Sequence, residues 1–182
     1  MELKQKGESI ILKQKNDVNK NYKATLKWTS AVDLDLHCFY RLKDDPKVGK
    51  GFFGKMFSTN QEGHISFSTK GSESKAPWIR LDEDSGVGDT GGDNEENMFF
   101  SNIDEIESAI IAANIFAKDT NFSQYNGKVI VQGGNSIFEV PLTETQKGSW
   151  CVVALIDNRN ENTMLKNINI TLKEKPTLKD YI

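Results

Sequence analysis

Between residues 22 and 40 apolar and polar positions alternate with a period of two. Tyr22, Ala24, Leu26 and Trp28 fall on one face and Lys23, Thr25, Lys27 and Thr29 on the other, the pattern of a strand with one side in a core. After a Ser-Ala break the same phase resumes with Val32, Leu34, Leu36 and Cys38 inward, which leaves Asp33, Asp35 and His37 on the opposite face. Two carboxylates then point the same way from Cα atoms about 7 Å apart. Further strands are predicted over 65–68, 78–81, 97–100, 109–117, 128–132, 137–142, 150–156 and 166–173. Two of them, "SAIIAANIFA" and "WCVVALI", are nearly continuous apolar runs, as expected of central strands buried on both faces. The connectors "QYNGKV", "QGGNS" and "DNRNEN" carry turn chemistry. A short helix is predicted over 101–108, where Ser101 and Asp104 have capping-box-like spacing. So many strands with so little helix predict an all-β fold: a β-sandwich of mainly antiparallel strands with at most one or two short helices.

Length and charge narrow the picture. The 182 residues suffice for one domain with a substantial core, and a single domain spanning 1–182 is expected, with 174–182 as a C-terminal tail. A formal net charge of -3, from 26 acidic and 23 basic residues, provides no basic field for nucleic acid or an anionic membrane. No apolar stretch has the length of a membrane span and the N-terminal residues lack the apolar core of a signal peptide, so a cytoplasmic location is expected. The two cysteines, Cys38 and Cys151, sit in apolar runs, where a reduced thiol packs as a small hydrophobe.

The most unusual stretch is "LDEDSGVGDTGGDNEE", residues 81–96, with seven carboxylates, four glycines and no Lys or Arg. Taken alone it reads as a solvated surface connection. Strand-like segments on both sides pin its ends, however, so that its acids converge, and the loops of a sandwich gather where the sheets end. Asp33 and Asp35 add a second group of acids. Oxygen-rich and Gly-rich composition suits a hard cation such as Ca²⁺, which takes about six to eight oxygen ligands in irregular geometry; Mg²⁺ settles for fewer carboxylates. An EF-hand is excluded, because counting from Asp82 puts Val87 where that loop requires glycine. Zn²⁺ is the weaker candidate: His37 has no cluster of soft ligands around it.

Catalysis ranks below binding. There is no nucleophile elbow, no phosphate-binding Gly-Lys-Ser/Thr motif and no Cys/His pair at a known spacing, and His64 in "NQEGHISF" has no partner visible in the sequence. Two other classes stand beside the calcium module: a metal-independent interaction scaffold whose acidic loop is merely solvated, and a Ca²⁺-dependent lectin-like sandwich, for which Phe52, Phe53 and Phe57 in "GKGFFGKMF" are the candidate exposed aromatics.

The segments "LKWTSAVDLDLHCFYRLKD", "DSGVGDTGGDNEEN", "IIAANIFA" with "NFSQYNGKVIV", and "WCVVALIDN" occur in the order and rough spacing of the tellurium-resistance TerD/TerA family. The chain resembles that family from about residue 26 to 158, its TerA-type branch most. The resemblance implies a non-enzymatic calcium-binding β-sandwich of a bacterial cytoplasm, encoded among stress and tellurite-resistance genes, with other proteins of that gene cluster as partners. It matches Asp33 and Asp35 to the acids of the family's "DLD" strand. Asp82, Ser85, Gly86, Gly88 and Asp89 match the first half of the loop and Asp93, Asn94 and Glu95 the second. Two extra residues separate Asp89 from Gly92, and Asn94 stands where the family has Asp, so either Glu95 or Glu96 completes the set. The expected metal ligands, for two Ca²⁺ ions, are Asp33, Asp35, Asp82, Asp84, Asp89, Asp93, Glu95 and Glu96.

Overall fold

The computed structural model describes residues 1–29, 32–43, 62–82, 94–116 and 121–182. Within them run twelve strands: β1 (Ser9–Lys13), β2 (Tyr22–Trp28), β3 (Leu34–Leu42), β4 (Glu62–Ile65), β5 (Gly71–Ser72), β6 (Ile79–Leu81), β7 (Asn94–Phe100), β8 (Ile106–Ile115), β9 (Lys128–Gly133), β10 (Ser136–Pro141), β11 (Trp150–Asp157) and β12 (Thr163–Leu172). They form two six-stranded sheets, β1-β12-β11-β8-β3-β4 and β10-β9-β2-β7-β6-β5. Every pairing between these strands is antiparallel. The all-β sandwich expected from the alternation is the observed architecture.

Between the sheets the inward residues interlock. Tyr22, Ala24, Leu26 and Trp28 of β2 face Leu34, Leu36 and Cys38 of β3 in one core with Met98, Phe100, Ile111 and Val153, so both alternating runs hold the phase the sequence shows. The apolar runs that form β8 and β11 are indeed central: β8 lies between β3 and β11, and β11 between β8 and β12. Their outer sides are covered as well. Phe39, Ile110, Ala112, Val152 and Leu155 cluster with Leu178 of the C-terminal segment, and Tyr181 and Ile182 pack against them. Residues 174–182 are therefore a strap across the outer face of the first sheet, held by apolar side chains, each worth about 1.5–3 kcal/mol when fully buried.

The N-terminal residues touch both sheets. β1 pairs with β12, Ser9 opposite Lys166, while the Leu3 N–H donates to Glu139 O of β10 at 2.8 Å and the Met1 ammonium donates to Ile137 O at 2.8 Å.

Several local expectations are corrected. In place of a helix over 101–108 there is one 3₁₀ turn, Ile103–Glu105, whose N-cap Asn102 makes no side-chain capping bond. Ser101 Oγ instead donates to Glu73 O at 2.6 Å, and Ile106 already pairs with Leu42 in the sheet. Two further 3₁₀ turns, Phe122–Tyr125 and Leu178–Asp180, bring the helical pieces among the described residues to three. The strand expected over 65–68 runs earlier, because Ser66 and Thr69 close a tight turn by exchanging backbone bonds of 3.1 and 3.0 Å. β1 and β5 are additions to the expected set. No helix among the described residues is long and apolar enough to cross a membrane.

Candidate functional site

Strand pairing gathers the described acids at one end of the sandwich. β2 ends at Trp28, opposite Asn94 where β7 begins; β6 ends at Leu81, opposite Met98; β3 begins at Leu34, opposite Ile115 where β8 ends. Asp33, Asp35, Asp82, Glu95 and Glu96 therefore all lie at or beside strand termini on the same side. The indole of Trp28 helps to set the approach to β3, donating to Val32 O at 2.8 Å just before Asp33.

Period two then sends the two candidate glutamates in opposite directions. Asn94, Glu96, Met98 and Phe100 alternate toward the core, and Glu96 is only 2% exposed. β4 pairs with β3 from Cys38 to Arg41 only; beyond its end the Leu36 N–H donates to Glu96 Oε2 at 2.6 Å. A carboxylate from one sheet thus ends the ladder of the other, next to Asp35, itself 4% exposed. Short bonds to an ionised acceptor are the strong ones.

Glu95 turns outward with Asn97. Its carboxylate pairs with Lys27 Nζ at 3.0 Å, directly across the β2–β7 ladder, and Lys27 with Asn97 holds its pKa below the usual carboxylate value. Asp82 joins the same outer patch. Asn97 donates its N–H to Asp82 Oδ1 at 3.0 Å and its Nδ2 to Asp82 Oδ2 at 2.8 Å, while Asn97 Oδ1 accepts from Thr25 Oγ1 at 2.8 Å. Each oxygen of Asp82 keeps acceptor capacity after one such bond. The acidic stretch has no basic residue of its own, but β2 supplies one in Lys27.

The structure accordingly brings Asp82 and Glu95 together through Asn97 on the outer face of the second sheet, and Glu96 to the β3 backbone beside Asp35 between the sheets. Asp84, Asp89 and Asp93, with Ser85, Gly86 and Gly88, lie outside the described residues, as do Phe52, Phe53 and Phe57. Among the described residues no group of three or more His, Cys, Asp or Glu side chains is arranged to hold a metal ion. The donors gathered here are all oxygens, which suits a hard cation and not a soft one. Thr25, Lys27 and Asn97 were missed as parts of this site. Lys27 was legible in principle, since it falls on the polar face of β2; its register against Glu95 was not.

His37 and His64 also depart from expectation. His37 is 4% exposed, and its Nδ1 lies 3.0 Å from His64 Nε2, so each histidine is the other's partner. Cys38 and Cys151 are free and buried, and burial pushes both thiols up in pKa, which leaves little thiolate for redox chemistry. Compared with protein-family models and with curated proteins, the chain matches none.

Proposed function

We propose that this chain is a non-enzymatic, Ca²⁺-binding β-sandwich protein that acts in a tellurite or general stress response in the cytoplasm, with other proteins of the same stress-response gene cluster as partners. The observation that carries the calcium reading is the gathering of Asp33, Asp35, Asp82, Glu95 and Glu96 at one end of the sandwich. Asp82 and Asn94, which flank the acidic residues 83–93, belong to that end. The stress-response role rests on the sequence resemblance alone.

Pooled carboxylates repel one another at separations shorter than the Debye length of ~8 Å. Calcium relieves that repulsion, and at a free concentration ~100 times its Kd adds about 2.7 kcal/mol of stability per site. Calorimetric titration and thermal melting of chelator-stripped protein test this. The expected result is saturable binding and a Tm raised by several degrees, largely abolished in Asp82→Asn and unchanged in Glu8→Gln. No heat of binding up to millimolar Ca²⁺, with melting indifferent to chelator, overturns the reading in favour of a metal-independent interaction scaffold. The Lys27–Glu95 pair and the Asn97 clamp on Asp82, which compensate these acids from within the protein, favour that second reading.

A further inference from the structure

The outer face of the first sheet holds a second polar constellation, built on His37, Phe39 and His64 with the strap. β3 and β4 set Phe39 opposite His64, with ring centroids 4.1 Å apart and planes 5° from parallel. His37 brings Nδ1 to 3.0 Å from His64 Nε2. From the strap, Lys175 Nζ lies 3.1 Å from His64 Nδ1 and 5.3 Å from the Phe39 ring centroid.

The chemistry of these groups sets the direction of the hydrogen bonds. An ammonium only donates, so His64 accepts at Nδ1, carries its proton on Nε2 and donates it to His37 Nδ1. The remaining proton of His37 then sits on Nε2, a buried atom with no hydrogen-bond partner among the described residues. In this arrangement each imidazole accepts at Nδ1 and is neutral, and Lys175 is the one charge of the trio. Two of its three donors are left over, and it forms no ion pair among the described residues. Glu62, which lines the same hollow as Lys175, is already taken by Arg41, whose Nη2 and Nε lie 2.6 and 3.0 Å from Oε1.

Beside this ammonium opens a cavity of about 380 Å³, lined by Phe39, Glu62, His64, Lys175, Pro176 and Leu178. That volume is in the range of small-molecule sites, which combine apolar walls with a few polar groups that fix orientation. An imidazole pair would otherwise suit a transition-metal ion, but the ammonium 3.1 Å from His64 repels a cation and attracts an anion.

We propose that this cavity binds a small carboxylate with a flat apolar body. Lys175 takes the carboxylate and the body lies against Phe39, Pro176 and Leu178. Four of the lining residues, Lys175, Pro176, Thr177 and Leu178, come from the strap, so the site exists only while residues 175–178 are seated on the sheet. The Arg41–Glu62 pair matters too, because it keeps the one acid on the rim from repelling the ligand.

The test is a titration of the full chain with benzoate, benzamide and inorganic phosphate, followed by NMR of the His64 imidazole and the Phe39 ring. Benzoate should give saturable shifts centred on both residues. Benzamide on the native chain, and benzoate on Lys175→Gln, should each bind at least about tenfold more weakly, the scale of one charge-assisted hydrogen bond. Lys175→Arg should retain binding, and phosphate should leave the Phe39 ring signals unmoved. Equal affinity for benzoate and benzamide, unchanged binding by Lys175→Gln, phosphate matching benzoate, or no saturation at millimolar benzoate would each overturn the proposal. Should Lys175→Gln unseat the strap, seen as loss of the Leu178 contact with Phe39, the benzoate–benzamide comparison on the native chain decides alone.

Discussion

The acidic end and the outer face of the first sheet both gather polar side chains, yet they manage charge in opposite ways. At the acidic end three of the carboxylates each meet a donor: Lys27 and Asn97 for Glu95, a backbone N–H for Glu96, an asparagine clamp for Asp82. Under the strap the imidazoles are kept neutral and one ammonium has no ion-pair partner among the described residues. The first arrangement is a set of charges already balanced in part and open to further balancing by a cation. The second is a single charge at the edge of an apolar hollow, where an anion is the complement.

Acid should separate the two regions most strongly. Both imidazoles are held below their ordinary value of 6.5, so below that pH the unfolded chain binds more protons than the folded one. Their contribution is intact above pH 6.5 and is lost as pH falls through about 4 for His64 and about 3 for His37. For buried His37 the loss amounts to about 1.4 kcal/mol per pH unit over that window, and less for the more exposed His64. Urea unfolding from pH 7 to 4 should show this slope, and His37→Gln should flatten it. An unchanged slope would mean that the imidazoles are not held neutral.

At the other end Glu96→Leu should cost about 1.5–3 kcal/mol, because it strands the Leu36 N–H inside the sandwich. Glu96→Gln retains an acceptor and should recover part of that loss, again by urea unfolding. A smaller effect is expected of Lys27→Ala. The Lys27–Glu95 pair is partly exposed, with 42% and 44% of the side chains accessible, and such pairs contribute about 0–1 kcal/mol. NMR titration should nevertheless show the Glu95 pKa moving up toward its ordinary value. The least effect is expected of Cys38→Ala with Cys151→Ala on tellurite tolerance, provided the double variant folds; loss of tolerance in a folded variant would restore a role for the thiols.

Elements whose side chains answer to a single face were legible in the sequence. The two alternating runs of β2 and β3 and the double-sided apolar runs of β8 and β11 carry their burial in their spelling, since period two maps directly onto inside and outside. β1 was not legible, because Ile10, Ile11 and Leu12 blur the alternation and it pairs with β12, Ser9 opposite Lys166, far away along the chain. The same distance in sequence hid the pockets of chemistry. His37 and His64 looked solitary because nothing local announces that Phe39 and His64 are cross-strand neighbours. The tail 174–182 resembled an appendage until its apolar positions, Leu178, Tyr181 and Ile182, met the face of the first sheet. Among the described candidate acids, the separation of Asp82 and Glu95 from the inward Glu96 depends on the register of β7, which the sequence does not carry.

The pairing of β1 with β12 has a consequence for the order of events on the ribosome. The chain is made from its N-terminus, yet the strand that receives Ser9–Lys13 is Thr163–Leu172. During translation β1 must wait for its β12 partner until residues 163–166 have emerged, and the staple from Met1 and Leu3 onto β10 waits for residues 137–139. Such long-range closure is slow and leaves a strand edge open to wrong partners. A nascent chain stalled before residue 163 should therefore engage holding chaperones through residues 9–13, and emergence of β12 should end that engagement in one step.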